Sequence, residues 1–397
     1  MKRTMTAVCL LAALALLVPN TLLGEDGKDG GPRKEVRQGK HAVPQIQLAI
    51  LLDTSGSMQG LINQARTQLW KIVNELATAK QDGQGPELQV ALYEYGKNSI
   101  PKDKGYLRQI VPLSDDLDKL SEKLFSLTTN GGHEYCGQVI ATATKELTWS
   151  KSDAALKLIF IAGNEPFSQG SVNFKEACAA AIAKGITVNT IFCGPESAGI
   201  QTGWQDGAHL ADGSFMSINQ NQQVATIKTP YDQKMAQLSV EINRTYLFLG
   251  KETVRRENRA KQVVADKAAA GAAPATAAER AQFKASGLYR TAGELLDGLK
   301  SGTIKLETLE ETKLPKELQG KSLEEKKTLV KELTADRAKI QNEIQKLSEQ
   351  RKQYIADQQK QQKNAKRNET LDAAIIKAIR DQSSLKKFKF EKKNRRR

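Results

Sequence analysis

One segment constrains this chain more than any other: Gln45-Ile46-Gln47-Leu48-Ala49-Ile50-Leu51-Leu52-Asp53-Thr54-Ser55-Gly56-Ser57-Met58. A short, nearly unbroken apolar run reads as a strand buried on both faces, the kind found inside parallel sheets. The turn after it places a carboxylate and two hydroxyls, Asp53, Ser55 and Ser57, at alternating positions. In open α/β sheets the carboxyl ends of strands are where ligands bind. Hard oxygen donors suit Mg²⁺ or Mn²⁺. No thiolate or imidazole stands nearby, so zinc is a poor match. The plainer alternative is a polar turn whose Ser and Asp side chains cap the next helix, and the residues of this segment alone leave both open.

The region from 43 to 250 repeats the strand-then-helix alternation. Strands are expected at 46–52, 88–95, 157–162, 186–193 and 214–218, and helices at 58–79, 114–125, 137–148, 171–184 and 230–244. Apolar runs such as Leu158-Ile159-Phe160-Ile161 between amphipathic stretches predict a doubly wound, mostly parallel, Rossmann-like sheet covered on both faces. The Gly-, Asn- and Gln-rich stretch 196–229 reads as loops around a short last strand, with Trp204 packing them.

Beyond 250 the character changes. Residues 251–279 read as a linker or weak helix. Residues 280–397 read as a basic α-helical region with a long helix from about Ser322. Leu333, Ile340, Leu347 and Tyr354 recur every seven residues, and Val330 and Ile344 share the partner positions with Arg337 and Arg351. This seam predicts a helical hairpin or a weak coiled coil over 322–358. A last helix is expected at 370–380, joined through Asn364 to Asn368.

Charge divides the same way. Residues 1–250 hold 24 Lys and Arg against 24 Asp and Glu, and residues 251–397 hold 36 against 21, so the whole formal charge of +15 lies in the second part. Such asymmetry argues for two regions with different partners. The tail from Lys386 to Arg397 is dense in Lys and Arg with Phe388 and Phe390 between them.

At the other end, Lys2 and Arg3 precede an apolar run from Cys9 to Val18 and turn-forming residues up to Gly24. Residues 1–24 therefore read as an export signal rather than a membrane-spanning helix. Residues 25–42 read as a flexible Gly-rich linker. The expected location is periplasmic, secreted or cell-envelope associated. There an anionic envelope surface, rather than nucleic acid, is the expected partner of the basic region. An oxidising compartment permits one disulfide among Cys136, Cys178 and Cys193. Cys178 and Cys193 are the expected pair because both lie toward the carboxyl edge of the sheet, and two reduced, packed thiols are the alternative.

No enzyme signature is present. Ser55 and Ser57 lack a His–Asp pair in a triad context, with His41, His133 and His209 the only histidines, and the nucleophile-elbow, zincin and phosphate-loop patterns are missing.

The motif at Asp53, Ser55 and Ser57 resembles the opening of a von Willebrand factor type A domain, whose metal-ion-dependent adhesion site begins with Asp-x-Ser-x-Ser. In that family a second loop adds a threonine and a third an aspartate. Here the second loop reads Thr128-Thr129-Asn130-Gly131-Gly132-His133-Glu134-Tyr135-Cys136, and its spacing to Val139-Ile140 puts Glu134 at the ligand position, with Thr129 as the fallback. The third loop reads Ala162-Gly163-Asn164-Glu165-Pro166, with Gly163 where the aspartate stands in the family. The resemblance thus implies two carboxylates, Asp53 and Glu134, with Asn164 adding an oxygen or holding a water. It implies a divalent cation, Mg²⁺ or Mn²⁺, and a partner protein whose acidic residue completes the ion's shell. The arrangement is similar to exported bacterial proteins that join such a domain to a helical C-terminal region. The function expected is therefore adhesion or complex assembly, and the alternative is a metal-free structural scaffold of the envelope.

Overall fold

The computed structural model describes residues 43–221, 227–361 and 370–390. The expected signal (1–24) and linker (25–42), the connection at Asn364–Asn368 and the tail beyond 390 lie outside the described residues.

The chain opens with β1 (Gln45–Asp53), α1 (Gln59–Ala77), a short β2 (Ala79–Gln81), β3 (Glu87–Tyr95) and β4 (Leu107–Ser114). It continues with α2 (Leu117–Ser126), α3 (Cys136–Glu146), β5 (Leu156–Gly163), α4 (Phe174–Ile182) and β6 (Thr187–Cys193). Then come α5 (Glu196–Gln201), α6 (Trp204–His209), β7 (Phe215–Ile218) and α7 (Asp232–Glu241). Six strands form one sheet in the order β4-β3-β1-β5-β6-β7, all parallel except β4, which runs antiparallel to β3. The expected mostly parallel, doubly wound sheet is therefore found, with β1 at its centre. Alternate residues of β1 feed two cores: Ile46, Leu48 and Leu52 pack on one face, and Ala49 and Leu51 on the other. This is why the segment is apolar throughout rather than every second residue.

Strand β4 escaped the sequence pattern. It is an edge strand carrying Pro112, with Leu107 and Val111 buried and Arg108 and Gln109 exposed, so its apolar signal is weak. The two short helices α5 and α6 stand where loops were expected, and Trp204 is fully buried as anticipated, its indole N–H donating to the Glu165 carbonyl at 2.8 Å.

The remaining elements are α8 (Glu252–Ala272), α9 (Pro274–Lys284), α10 (Leu295–Ser301), α11 (Leu323–Gln361), α12 (Leu371–Ser383) and β8 (Phe388–Phe390). The stretch expected as linker or weak helix forms α8 and the start of α9. They are separated only at Ala273, whose extended backbone (φ −169°) is what a following proline requires. Helix α9 packs on α1 and α7, α8 on α2, and α12 on α1. Gln64 and Gln68 of α1 accept the free N–H groups of Leu371 and Asp372 at the start of α12. Ala278, Phe283, Ile340, Ile344, Leu371, Ile375, Ile379 and Phe388 all enter the core that lies on the α1 face of the sheet.

The seven-residue seam of α11 is not a coiled coil. It packs on α7, on α9 and on the turn Ile242–Thr245 of the same chain. The two arginines at its seam are buried and paired. Arg337 meets Glu294 at 2.8 Å, and Arg351 meets Asp232 at 2.8 Å and Glu279 at 2.6 Å. The start of the basic tail is also ordered, because β8 pairs antiparallel with β2 and buries Phe388. Among the described residues no helix is long and apolar enough to cross a membrane.

Candidate functional site

The site lies at the carboxyl edge of the sheet, where β1 gives way to α1. Asp53 ends β1 and is fully buried. Its Oδ1 accepts the Ser55 backbone N–H at 2.7 Å, which shapes the turn, while Oδ2 is buried without a hydrogen-bond partner. The turn is tied to β3 by the Thr54 N–H, which donates to the Tyr95 carbonyl at 2.8 Å. The Ser55 and Ser57 hydroxyls stand 3.3 Å apart, and Asn164 donates its Nδ2–H to Ser57 Oγ at 3.3 Å. This leaves Asn164 Oδ1 as a second buried oxygen without a partner.

Glu134 comes from the loop before α3, with its N–H held by Gln169 Oε1 at 2.5 Å. It approaches Asp53 closely because Gly96 separates them. A Cβ at Gly96 would stand 2.7 Å from Asp53 Oδ1 and 2.9 Å from Glu134 Cγ, and its φ of +78° favours glycine in any case. The structure thus brings Asp53, Ser55, Ser57, Asn164 and Glu134 together. Thr129 is engaged elsewhere, donating from its hydroxyl to Gln59 Oε1 at 3.2 Å. His133 is exposed, its ring tilted against those of Tyr106 and Tyr135.

Tyr95 explains the missing third-loop aspartate. A Cβ at Gly163 would lie 2.5 Å from the Tyr95 hydroxyl and 3.1 Å from Asp53 Oδ2. The tyrosine, which donates to the Ala162 carbonyl at 3.0 Å, occupies the space a side chain at 163 would need. Tyr95, Gly96, Gln169 and Gln59 were missed by sequence reasoning. Their roles depend on which loops meet, and only the Tyr95-Gly96 pair at a strand end offered a local hint.

Electrostatics follow from this packing. Burial, reinforced by Glu134, pushes the Asp53 carboxyl up to about 8 against the opposing N–H of Ser55. Burial and then Glu165 push Glu134 up to about 7. Among the described residues no Lys or Arg pairs with either carboxylate. Burying carboxylates unpaired is costly, so the site favours a proton or a cation. The described residues contain no cluster of three or more His, Cys, Asp and Glu arranged for a metal. The donor set here is instead two carboxylates with hydroxyl and amide oxygens. Two orphaned oxygens beside two hydroxyls and a second carboxylate fit a small hard cation.

The disulfide expected between Cys178 and Cys193 is not formed. All three cysteines are free and buried. Cys178 packs in the core on the α3–α4 face and Cys193 in the core on the α1 face, so the sheet lies between them.

An open, mostly parallel sheet with an oxygen-rich site at the carboxyl end of its central strand defines a class of α/β binding domain. The family model of the von Willebrand factor type A domain matches residues 47–205, and this part of the chain is a domain of that type. No curated protein matches the chain. Among solved structures it is similar to BatB, described as a conserved hypothetical protein, from Bacteroides thetaiotaomicron. The two share 16% identity over 44% of this chain and 90% of that one, with a TM-score of 0.33. The SpRpn10 VWA domain is 18% identical over 46% of this chain and 92% of that one, with a TM-score of 0.35. The pilus adhesin SpaC from Lactobacillus rhamnosus GG is 13% identical over 46% of this chain and 29% of that one, with a TM-score of 0.34.

Proposed function

We propose that the chain is an exported interaction module, serving adhesion or complex assembly, that binds a partner protein through a divalent cation at the carboxyl edge of its sheet. The observation that carries this reading is Asp53 Oδ2, buried without a partner next to the Glu134 side chain. Asp53, Ser55, Ser57, Glu134 and Asn164 would hold the ion. Thr129 is the alternative to Glu134, but its hydroxyl already serves Gln59. A bound Mg²⁺ or Mn²⁺ supplies a positive centre whose shell an acidic side chain of the partner can complete. The protein's own residues fix the donors: Ser55 N–H sets the Asp53 rotamer, Asn164 orients Ser57, and Gln169 holds the Glu134 loop.

Export and an envelope location rest on the basic start and the apolar run from Cys9 to Val18. The excess of Lys and Arg after residue 250 supports attachment to an anionic envelope surface.

A second reading, a metal-free scaffold, draws on the tight packing of the helical part against the sheet domain. Thermal melts of the full chain with increasing Mg²⁺ or Mn²⁺ separate the two, because an ion that binds only the native state raises the melting temperature with concentration. The wild type should respond and Asp53→Ala should not, with Glu134→Ala weakening the response more than Thr129→Ala. Equal responses of the wild type and Asp53→Ala would refute the metal site and favour the scaffold.

A further inference from the structure

Far from that site, on the α1 side of the sheet, the last residue of α9 meets the turn after α7. Lys284 is fully buried. Its Nζ donates to Asn243 Oδ1 at 2.6 Å and lies 3.1 Å from both oxygens of Asp266, and it also donates to the Ser239 carbonyl. Asp266 Oδ2 in turn accepts from Asn243 Nδ2 at 2.7 Å. One carboxylate therefore touches both the amine and the amide nitrogen, while the amine touches the amide oxygen.

We propose that Lys284 and Asn243 form an intramolecular amide cross-link, with Asp266 moving the protons. Three features of the site support the chemistry. The partners are held in hydrogen-bond contact before reaction, as a bimolecular step made unimolecular requires. Burial lowers the Lys284 ammonium to about 8 against the pull of Asp266, which makes the neutral amine accessible near neutral pH. Solvent is excluded from Lys284, yet a groove of about 300 Å³ lined by Gln233, Gln237, Ser239, Asp266, Ala269 and Arg280 opens beside the cluster and provides a way out for a small product.

The step balances without an oxidant or any co-reactant. Asp266 takes one proton from the Lys284 ammonium. The free Nζ attacks Cγ of Asn243 and a new C–N bond forms. As the tetrahedral centre collapses, Asp266 returns its proton to Nδ2, the bond from Cγ to Nδ2 breaks, and Nζ passes its second proton to the leaving nitrogen. That nitrogen departs as ammonium. The product is a secondary amide that ties the turn after α7, in the sheet domain, to α9 of the helical part. Arg280, 2.6 Å from Asp266 Oδ1, keeps that carboxylate in place throughout.

The test is peptide mapping of the purified full chain, denatured and digested with trypsin. A cross-linked protein yields a branched peptide joining 235–244 to 281–290, lighter than the sum of its two arms by one ammonia, with no cleavage after residue 284. Lys284→Met and Asp266→Asn should abolish the branched peptide. If the wild type, incubated at physiological temperature, gives residue 243 only in a linear peptide, whether as Asn or as Asp, and trypsin cleaves after Lys284, the proposal is wrong. The wild-type measurement decides the matter even if a variant fails to fold.

Discussion

Cutting the chain after residue 250 should leave a sheet domain that does not fold stably alone. The helical part contributes Phe283, Ile340, Ile344, Leu371, Ile375, Ile379 and Phe388, all buried, to the core on the α1 face. Burying a large apolar side chain contributes about 1.5–3 kcal/mol, so these seven together contribute about 10–20 kcal/mol. Domains are stable by only about 5–15 kcal/mol in total. The loss is therefore as large as the whole margin, before the newly exposed faces of α1, α2 and α7 are considered. Expressed as residues 43–250, the fragment should show reduced near-ultraviolet dichroism, bind a hydrophobic dye and lack a sharp urea transition, whereas the full chain should unfold cooperatively. A cooperative transition of the fragment at the same urea midpoint as the full chain would refute the argument.

Removing Arg337 leaves Glu294, itself buried, without its guanidinium partner, so Arg337→Ala should cost about 3–5 kcal/mol in urea unfolding. Gly163→Ala should destabilise by about 1–3 kcal/mol, because the new Cβ collides with the Tyr95 hydroxyl. The Asp53 carboxyl is raised from 3.8 to about 8, so between these values the folded, ion-free protein holds more protons there than the unfolded chain. Its contribution to stability is full below 3.8 and lost as pH rises through about 8. Melts from pH 5 to 8.5 should show that decline in the ion-free wild type, a weaker one in Asp53→Asn and a weaker one with saturating Mg²⁺. A slope unchanged by Asp53→Asn would count against the assignment.

What the sequence made legible was local. The run from Ile46 to Leu52 announced a central strand because both of its faces are buried, and Asp53, Ser55 and Ser57 share one turn. Glu134 was placed through the family resemblance, but its approach to Asp53 depends on Gly96, and the empty place at 163 depends on Tyr95. Neither contact leaves a trace in spacing. The heptad of α11 was read correctly as a seam and wrongly as to what covers it. Charges at Arg337 and Arg351 looked like weak points of a coiled coil, yet each has acidic partners 40 or more residues away in sequence. Periodicity reports that a helix face is covered without saying by what.

The charge asymmetry takes on another meaning once these pairs are known. Lys261, Arg280, Arg351 and Arg380 from the second part pair with Asp116, Asp118, Asp232 and Glu75 of the first. Part of the basic excess therefore fixes the helices onto the sheet domain instead of facing a partner. The geometry also sets apart what remains. The candidate cation site occupies the carboxyl edge of the sheet, whereas β8 pairs with β2 just after α1, and Lys386 beside it reaches the Asp153 carbonyl ahead of β5. That is the amino-terminal edge. Helices α8, α9 and α12 pack on the α1–α2 side of the sheet. A partner reaching the cation site and a surface meeting the basic C-terminal end would engage opposite ends of one body. The two contacts can then form together without competing, and each should respond to its own reagent, chelator at the first and salt at the second.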